Sequence, residues 1–186
     1  MSSVVIVTGL PATGKTTLAR RLARDLQLPG YHKDDFKEAL MDRVGWEDRA
    51  LVSLMGAGSF EILFRILEAH LLAGTNCLLE ANFRTESYER FIDLRGKYGA
   101  RIIEVNCRAR PRAILQRLVA RVEAGRRHPG HDDETTRRMG ASGLEAAVDE
   151  HCLNLPDGCL IVDTTAFEAI DDAALLGELR RRLAEP

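Results

Sequence analysis

The glycine-rich turn after the first apolar run constrains the fold of this chain more than any other stretch. Residues 4–8 read VVIVT, and residues 9–16 read GLPATGKT, which matches the pattern G-x-x-x-x-G-K-[ST] at every position. Glycine permits the dihedral angles that point backbone N–H groups inward around a phosphate. A helix that begins inside the loop turns its positive end toward the same anion. The stretch therefore predicts a strand, a phosphate-binding loop and a helix, in that order.

The loop also predicts which residues hold a nucleoside triphosphate. The Lys15 ammonium supplies charge at the terminal phosphates, and the Thr16 hydroxyl is the expected Mg²⁺ ligand. ATP and Mg²⁺ are therefore the expected cofactors. The candidate binding residues of the loop are Gly9, Pro11, Ala12, Thr13, Gly14, Lys15, Thr16 and Thr17.

Short apolar runs alternate with amphipathic stretches along the rest of the chain, as is typical of a parallel sheet covered by helices. The third and fourth apolar runs have no polar face, so their strands should lie in the centre of the sheet, and the second strand is expected beside the first. We predict a single domain over residues 1–186 with a three-layer α/β/α P-loop NTPase fold. Its five parallel strands are expected within residues 4–8, 30–33, 76–83, 100–107 and 159–165.

Amphipathic or capped stretches between these strands predict the helices. Leu18, Leu22 and Leu26 form one apolar stripe after the phosphate loop. The sequence GAGS interrupts the longest helical pattern, as a kink or as a tight contact. Further helices are expected over residues 34–45, 48–73 and 111–123 and from residue 171 or 172 onward. Residues 124–143 are polar and rich in glycine, so we predict a surface lid there.

Composition argues against several classes of protein. A formal net charge of −2 does not suit a general nucleic-acid coat or a membrane-surface protein. Cys77, Cys107, Cys152 and Cys159 form no C-x-x-C pair, so we expect buried thiols rather than disulfides or zinc ligands. No basic leader precedes the first strand, and by this reading no apolar run approaches the ~20 residues that span a bilayer. A cytoplasmic location is therefore expected.

A pair of aspartates follows the second predicted strand, in the sequence YHKDDFKEAL. A carboxylate at this edge of the sheet can face the γ-phosphate and accept a proton from an attacking hydroxyl. Asp34 is therefore the candidate base, and Lys37, three residues later, is a candidate contact to the acceptor. The alternative is that the aspartate only caps the helix that follows.

Four segments together resemble the small P-loop kinases. They are GLPATGKTTLARRLA, HKDDFKEAL, LLEANF and CRARPRAILQRLVARVEAGRRHPGH, and the resemblance covers residues 3 to about 131. Within that family the chain is most similar to predicted kinases related to polynucleotide 5′-kinase, chloramphenicol phosphotransferase and zeta toxins. The resemblance places Asp34 where polynucleotide kinases keep the general base. Lys37 stands where those kinases carry a substrate-contacting arginine, which leaves the acceptor open.

The same resemblance assigns roles at the end of the third strand. Glu80 stands where the family more often has an aspartate near Mg²⁺ or the acceptor, so it could serve the metal, the acceptor or proton transfer. Asn82 and Arg84 follow at the carboxyl edge of the sheet, where ligands bind in open α/β folds. Arg84 is a candidate substrate contact, with a solvated loop charge as the alternative.

Lid arginines complete the set of candidate residues. Positive charge on the equatorial oxygens stabilises a loose phosphoryl-transfer transition state. Arg117 and Arg121 lie four residues apart on one helix face, and we assign catalytic roles to Arg121 and Arg126 and a nucleotide contact to Arg127. Two weaker interpretations are a metal site at His128 and His131, and a backbone contact of residues 164–166 with adenine.

These observations favour an ATP-dependent phosphotransferase that modifies a hydroxyl of a small molecule. A polynucleotide 5′-hydroxyl kinase and a zeta-toxin-like sugar-nucleotide kinase use the same chemistry and stay open as alternatives. The non-enzymatic alternative is a nucleotide-binding switch, although the chain has no N-K-x-D guanine-reading motif. An oligomeric motor ATPase is disfavoured because LLEAN replaces the expected strand ending in Asp-Glu. The sequence does not give the oligomeric state.

Overall fold

Five parallel strands form one sheet, and every strand precedes a helix or a short helical turn. The structure is a computed structural model that describes residues 2–125 and 127–185. The strand order is β2-β3-β1-β4-β5. The strands are β1 (Ser3–Thr8), β2 (Gly30–His32), β3 (Cys77–Glu80), β4 (Arg101–Arg108) and β5 (Cys159–Asp163).

Helices cover both faces of this sheet. In the order of the chain they are α1 (Lys15–Asp25), α2 (Lys33–Val44), α3 (Arg49–Ala73), α4 (Tyr88–Tyr98), α5 (Pro111–Glu123), α6 (Asp133–Arg138), α7 (Gly140–Ala147) and α8 (Asp172–Ala184). Strand β1 alternates its side chains between the two layers. Val4 and Ile6 pack toward α3 and α4, whereas Val5 and Val7 pack toward α1 and α8. The predicted three-layer α/β/α fold is confirmed.

The position of β2 differs from the expectation. Strand β2 pairs with β3, and β3 pairs with β1, so the prediction that β2 lies beside β1 was wrong. Strand β3 is buried at all four positions, which suits the interior of a sheet, whereas β2 has three residues and begins at the exposed Gly30. The predicted central places of β3 and β4 are confirmed.

Helix α3 runs without a break through the sequence GAGS. The Ser59 hydroxyl donates to the Met55 carbonyl at 2.7 Å, and Gly56 lies against the side chain of Lys37. With a mean hydropathy of 1.6, α3 is long and apolar enough to span a membrane by length and composition, so the expectation of no such segment was wrong. Leu63 and Leu67 nevertheless pack into the core, and core helices of soluble proteins pass the same test.

Helices α4, α6 and α7 were not predicted. Helix α4 reads YERFIDLRGKY and buries only Phe91 and Leu94, so its apolar pattern is short and is flanked by charged residues. The predicted lid, residues 124–143, contains α6 and the start of α7. Helix α7 buries Leu144 and Ala147 in a small core with α5, so this end of the segment is anchored.

All four cysteines carry free thiols, as expected, and Cys159 is the least buried. The fold brings Cys152 and Cys159 together with their Sγ atoms 3.8 Å apart, next to Glu104. The Glu104 carboxylate accepts the backbone N–H of Leu153 at 2.9 Å, so it anchors the segment that leads into β5.

Candidate active site

Backbone geometry shapes the loop between β1 and α1. Gly9 has φ +139°, and a Cβ there would lie 2.4 Å from the Cys107 carbonyl oxygen, so only glycine fits against β4. Ala12 and Gly14 also have positive φ, at 60° and 88°. The Thr13 hydroxyl is buried and donates to the Leu10 carbonyl at 2.9 Å. Gly9 and Thr13 therefore stabilise the loop on the side away from the cleft, and neither residue lines the cleft.

Arg117 and Thr164 connect this loop to the segment after β5. The guanidinium of Arg117 donates to the carbonyls of Thr164 and Thr165 at 2.6 and 3.0 Å. The Thr164 hydroxyl donates to the Thr13 carbonyl at 2.5 Å. The Phe167 ring lies 5.4 Å from the Arg117 guanidinium. An aromatic ring and a guanidinium thus flank the outer side of the loop, a suitable surface for a base to stack on.

A cleft of about 600 Å³ opens at the carboxyl edge of the sheet. Most of the residues predicted from the sequence line it. They are Pro11, Ala12, Gly14, Lys15, Thr16, Thr17, Asp34, Lys37, Glu80, Asn82, Arg84, Arg117, Arg121 and Arg127. Residues 164–166 do not line the cleft, and their place is taken by Phe167. The predicted catalytic residue Arg126 lies outside the described residues.

Lys15 lies at the floor of the cleft beside a buried carboxylate. Its Nζ is 3.5 Å from the Leu10 carbonyl oxygen and 3.9 Å from Glu80 Oε1. Both contacts are long, so the ammonium keeps donors for an anion in front of the loop. Glu80 also contacts His32, with 3.2 Å between Oε2 and Nδ1. Glu80 is therefore buried next to Lys15 of the loop and does not point into the solvent.

Asp34 occupies the opposite wall, in the first turn of α2. Lys33 Nζ lies 3.2 Å from one carboxylate oxygen, and Arg127 Nη1 lies 3.1 Å from the other. Burial opposes ionisation of Asp34, but the charges of Lys33 and Arg127 outweigh it and hold the pKa well below its usual range. The helix has no side-chain cap, so Asp34 does not serve as the N-cap. An ionised carboxylate therefore faces the cleft.

Arg121 on α5 and Arg127 in the lid keep unused donors beside the cleft. Arg121 Nη2 lies 3.3 Å from Asp133, and Arg127 Nε lies 3.3 Å from the same carboxylate, outside hydrogen-bond geometry. Among the described residues, the Nε atoms of both arginines are buried without a hydrogen-bond partner. Burial lowers the pKa of Arg121, although Asp133 opposes this. A phosphate group would supply the missing acceptors.

The two lid histidines bind carboxylates of α2 instead of forming a metal site. His128 Nε2 lies 3.2 Å from Asp42, and His131 Nε2 lies 2.7 Å from Glu38. Burial, with the charge of Arg127, lowers the pKa of His131 to about 3, so the neutral ring donates to Glu38. Neither histidine belongs to a cluster of potential metal ligands in the described part of the chain.

Lys33, Phe167, Asp133, Thr135 and Thr136 also line the cleft, and the sequence did not indicate them. Lys33 precedes the aspartate pair directly, so its place in the motif HKDD was a usable signal. The others depend on how the lid and the segment after β5 fold back over the loop, which no local pattern reports.

Comparison with known proteins assigns the chain to a family. A family model described as an AAA domain matches residues 4–143. A protein named "putative kinase" from Chloroflexus aurantiacus has a solved structure with 35 % identity and a TM-score of 0.83, covering 98 % of this chain and 96 % of that one. The chain belongs to the small P-loop kinase family. No curated protein matches the sequence.

Two more distant structures show the same fold. A sugar kinase from Janibacter sp. HTCC2649 has 17 % identity and a TM-score of 0.55, with 100 % of this chain and 98 % of that chain covered. Shikimate kinase from Bacteroides thetaiotaomicron has 17 % identity and a TM-score of 0.57, with 98 % and 99 % covered. The fold of a small P-loop kinase thus extends along the whole chain.

Proposed function

We propose that this protein transfers the γ-phosphoryl group of ATP to a hydroxyl group of a small molecule. The observation that carries the proposal is that the Lys15 ammonium and the Asp34 carboxylate line one cleft, with Arg121 and Arg127 beside them. The acceptor oxygen bonds to the γ-phosphorus while the bond to the bridging oxygen of ATP breaks. The products are ADP, a phosphate ester and one proton. The kinase neighbours support this class of reaction.

The residues present fit a magnesium–nucleotide complex. Thr16 lines the cleft at the start of α1, and the positive φ angles of Gly9 and Gly14 set the shape of the loop that precedes it. Mg²⁺ bound through the Thr16 hydroxyl would neutralise charge on the phosphate oxygens. Lys15, Arg121 and Arg127 contribute fixed positive charge around the same group.

Asp34 orients the acceptor hydroxyl and receives its proton. A carboxylate with a lowered pKa is a weak base, but a loose transition state forms little bond to the acceptor before the phosphoryl group has largely separated. The hydroxyl proton therefore becomes acidic late, and a weak base in the right place suffices. The positive charges of Lys33 and Arg127 keep Asp34 ionised in the neutral pH range.

The two adjacent aspartates provide a matched experiment. Asp34 lines the cleft, whereas Asp35 is half exposed and pairs with Arg20 at 2.7 Å. We expect Asp34→Asn to lower the rate of phosphoryl transfer about 10²- to 10⁴-fold and Asp35→Asn to leave it near the native rate. The measurement is transfer from γ-labelled ATP to a panel of hydroxylated metabolites, antibiotics and 5′-hydroxyl oligonucleotides, with ATP affinity from calorimetry.

Magnesium–ATP affinity separates the possible results. We expect both asparagine variants to bind magnesium–ATP like the native protein, because the loop is intact in each. Equal transfer by Asp34→Asn and the native protein would rule out Asp34 as the base. Failure of the native protein to bind magnesium–ATP would rule out the phosphotransferase function altogether.

A further inference from the structure

Two cationic side chains of the cleft lack an ion-pair or hydrogen-bond partner within the described part of the chain. Lys33, Arg121 and Arg127 each lie within ion-pair distance of a carboxylate. Lys37 and Arg84 line the same cleft, yet neither side chain makes an ion pair or a hydrogen bond with any residue that the structure describes. An unpaired cation in a half-enclosed cleft is available to a ligand of opposite charge.

Both side chains line the cleft from elements other than the phosphate loop. Lys37 follows Asp34 by three residues on α2, so the two share one face of that helix. Its side chain passes α3 at Gly56, where an added Cβ would lie 3.8 Å from Lys37 Cε. Arg84 comes four residues after Glu80, on the segment that leaves β3. Neither element carries the phosphate loop.

The environment of Lys37 disfavours its charge when the cleft is empty of anions. Burial lowers the pKa of Lys37, and the nearby charge of Lys33 lowers it further. The phosphates of ATP have other cations to meet them, namely Lys15 at the loop, Arg121 on α5 and Arg127 in the lid. Lys37 and Arg84 are therefore not needed to neutralise the phosphates of ATP.

We propose that Lys37 and Arg84 bind an anionic group of the acceptor. The substrate class is then a hydroxylated small molecule that also carries a carboxylate or a phosphate. This inference rests on the proposed phosphotransferase function. Anchoring the anion between α2 and the segment after β3 leaves the hydroxyl of the same molecule free to reach Asp34.

The test measures binding of matched probes to the protein saturated with Mg²⁺ and a non-hydrolysable ATP analogue. The probes are trios of an alcohol, its carboxylate and its phosphate ester, namely glycerol, glycerate and glycerol 3-phosphate, and glucose, gluconate and glucose 6-phosphate. The readout is the shift of the melting temperature with probe concentration, which gives an apparent Kd. The carboxylate and phosphate arms distinguish the two sources of negative charge.

Variants assign the effect to the two cations. We expect the anionic members to raise the melting temperature of the native protein and the alcohols to leave it unchanged. Lys37→Gln and Arg84→Gln should each raise the apparent Kd about 10- to 100-fold, the usual loss for one charged hydrogen bond. Lys37→Arg should retain binding. Arg65→Gln removes a charge that is 78 % exposed on α3 and should behave like the native protein.

Other outcomes overturn the proposal. These are equal shifts with alcohols and anions, no shift with any anion, and anion binding that Lys37→Gln does not weaken. A Lys37-dependent shift with a 5′-hydroxyl oligonucleotide alone would overturn it in favour of a polynucleotide acceptor. The ATP analogue is measured first without probes. If it binds and no anion does, only this inference fails, whereas absence of analogue binding removes the proposed function as well.

Discussion

The two halves of the cleft are built by different means. The nucleotide half comes from one run of the chain, and positive φ angles and carbonyl contacts set its shape, as at Gly9 against β4. The other half is assembled from side chains far apart in the sequence, such as Asp34 and Arg127. A backbone-built site can be recognised from a short motif. A site built from long-range side-chain pairs depends on the completed fold.

The largest effect is expected from a substitution in the half of the cleft that the backbone shapes. Gly9→Ala places a Cβ 2.4 Å from a backbone oxygen at a φ of +139°. We expect the free energy of unfolding to fall by about 2–4 kcal/mol, from strained dihedrals and overpacking. Magnesium–ATP binding should fall with it. Chemical denaturation and calorimetry measure the two effects.

Gly58→Ala is the matched control for that substitution. Gly58 lies inside α3, and an added Cβ would meet nothing within 4 Å. Alanine is the better helix former, so we expect a gain of about 0.5–1 kcal/mol with unchanged ATP affinity. Equal stability changes at both glycines would show that the loop does not depend on the conformation of Gly9.

The next effect tests the side-chain-built half. Arg127→Gln removes the ion pairs with Asp34 and Asp133. We expect phosphoryl transfer to fall about 10- to 100-fold, through loss of charge-assisted contacts, while the protein stays folded. Arg138→Gln is the control, because Arg138 is 77 % exposed in the same segment. A native transfer rate in Arg127→Gln would show that this arginine does not contribute to phosphoryl transfer.

The smallest effect concerns the contact between the lid and α2. Burial of His131 lowers its pKa to about 3, whereas the ring titrates near 6.5 in an unfolded chain. The unfolded state therefore binds more protons below pH 6.5, so stability that is complete above this pH falls with acidification. Between pH 7 and pH 5 we expect a loss of about 1–2 kcal/mol. Denaturation of the native protein and of His131→Gln at both pH values measures it, and equal losses in the two proteins would contradict it.

The parts of the fold that follow local patterns were predictable from the sequence. Strand β1, the phosphate loop and helix α1 follow from residues 4–26, because periodicity and glycine chemistry act over short distances. Helix α5 was predicted at its observed bounds, with Pro111 in its first turn. Most candidate residues line the cleft, because they were placed at the carboxyl edge of the parallel sheet, where ligands bind in such folds.

The remaining features depend on contacts that no local pattern reports. The order of β2 and β3 is decided by which strand buries both faces. Phe167 reaches the cleft because it packs on Gly14, from a place more than 150 residues later in the chain. Neither His131 with Glu38 nor Arg127 with Asp34 could be paired from spacing alone.

The insertion of β3 between β1 and β2 has a consequence for substrate choice. Strand β1 leads to the loop with Lys15, and strand β2 leads to Asp34. The two strands lie two inter-strand spacings apart, about 9–10 Å. Hydrogen-bonded ladders fix that width, so the sheet sets the distance that the proposed reaction must span between the loop and Asp34. Changes in the length or composition of the lid can then alter which molecules enter the cleft, while the distance between the loop and Asp34 stays the same.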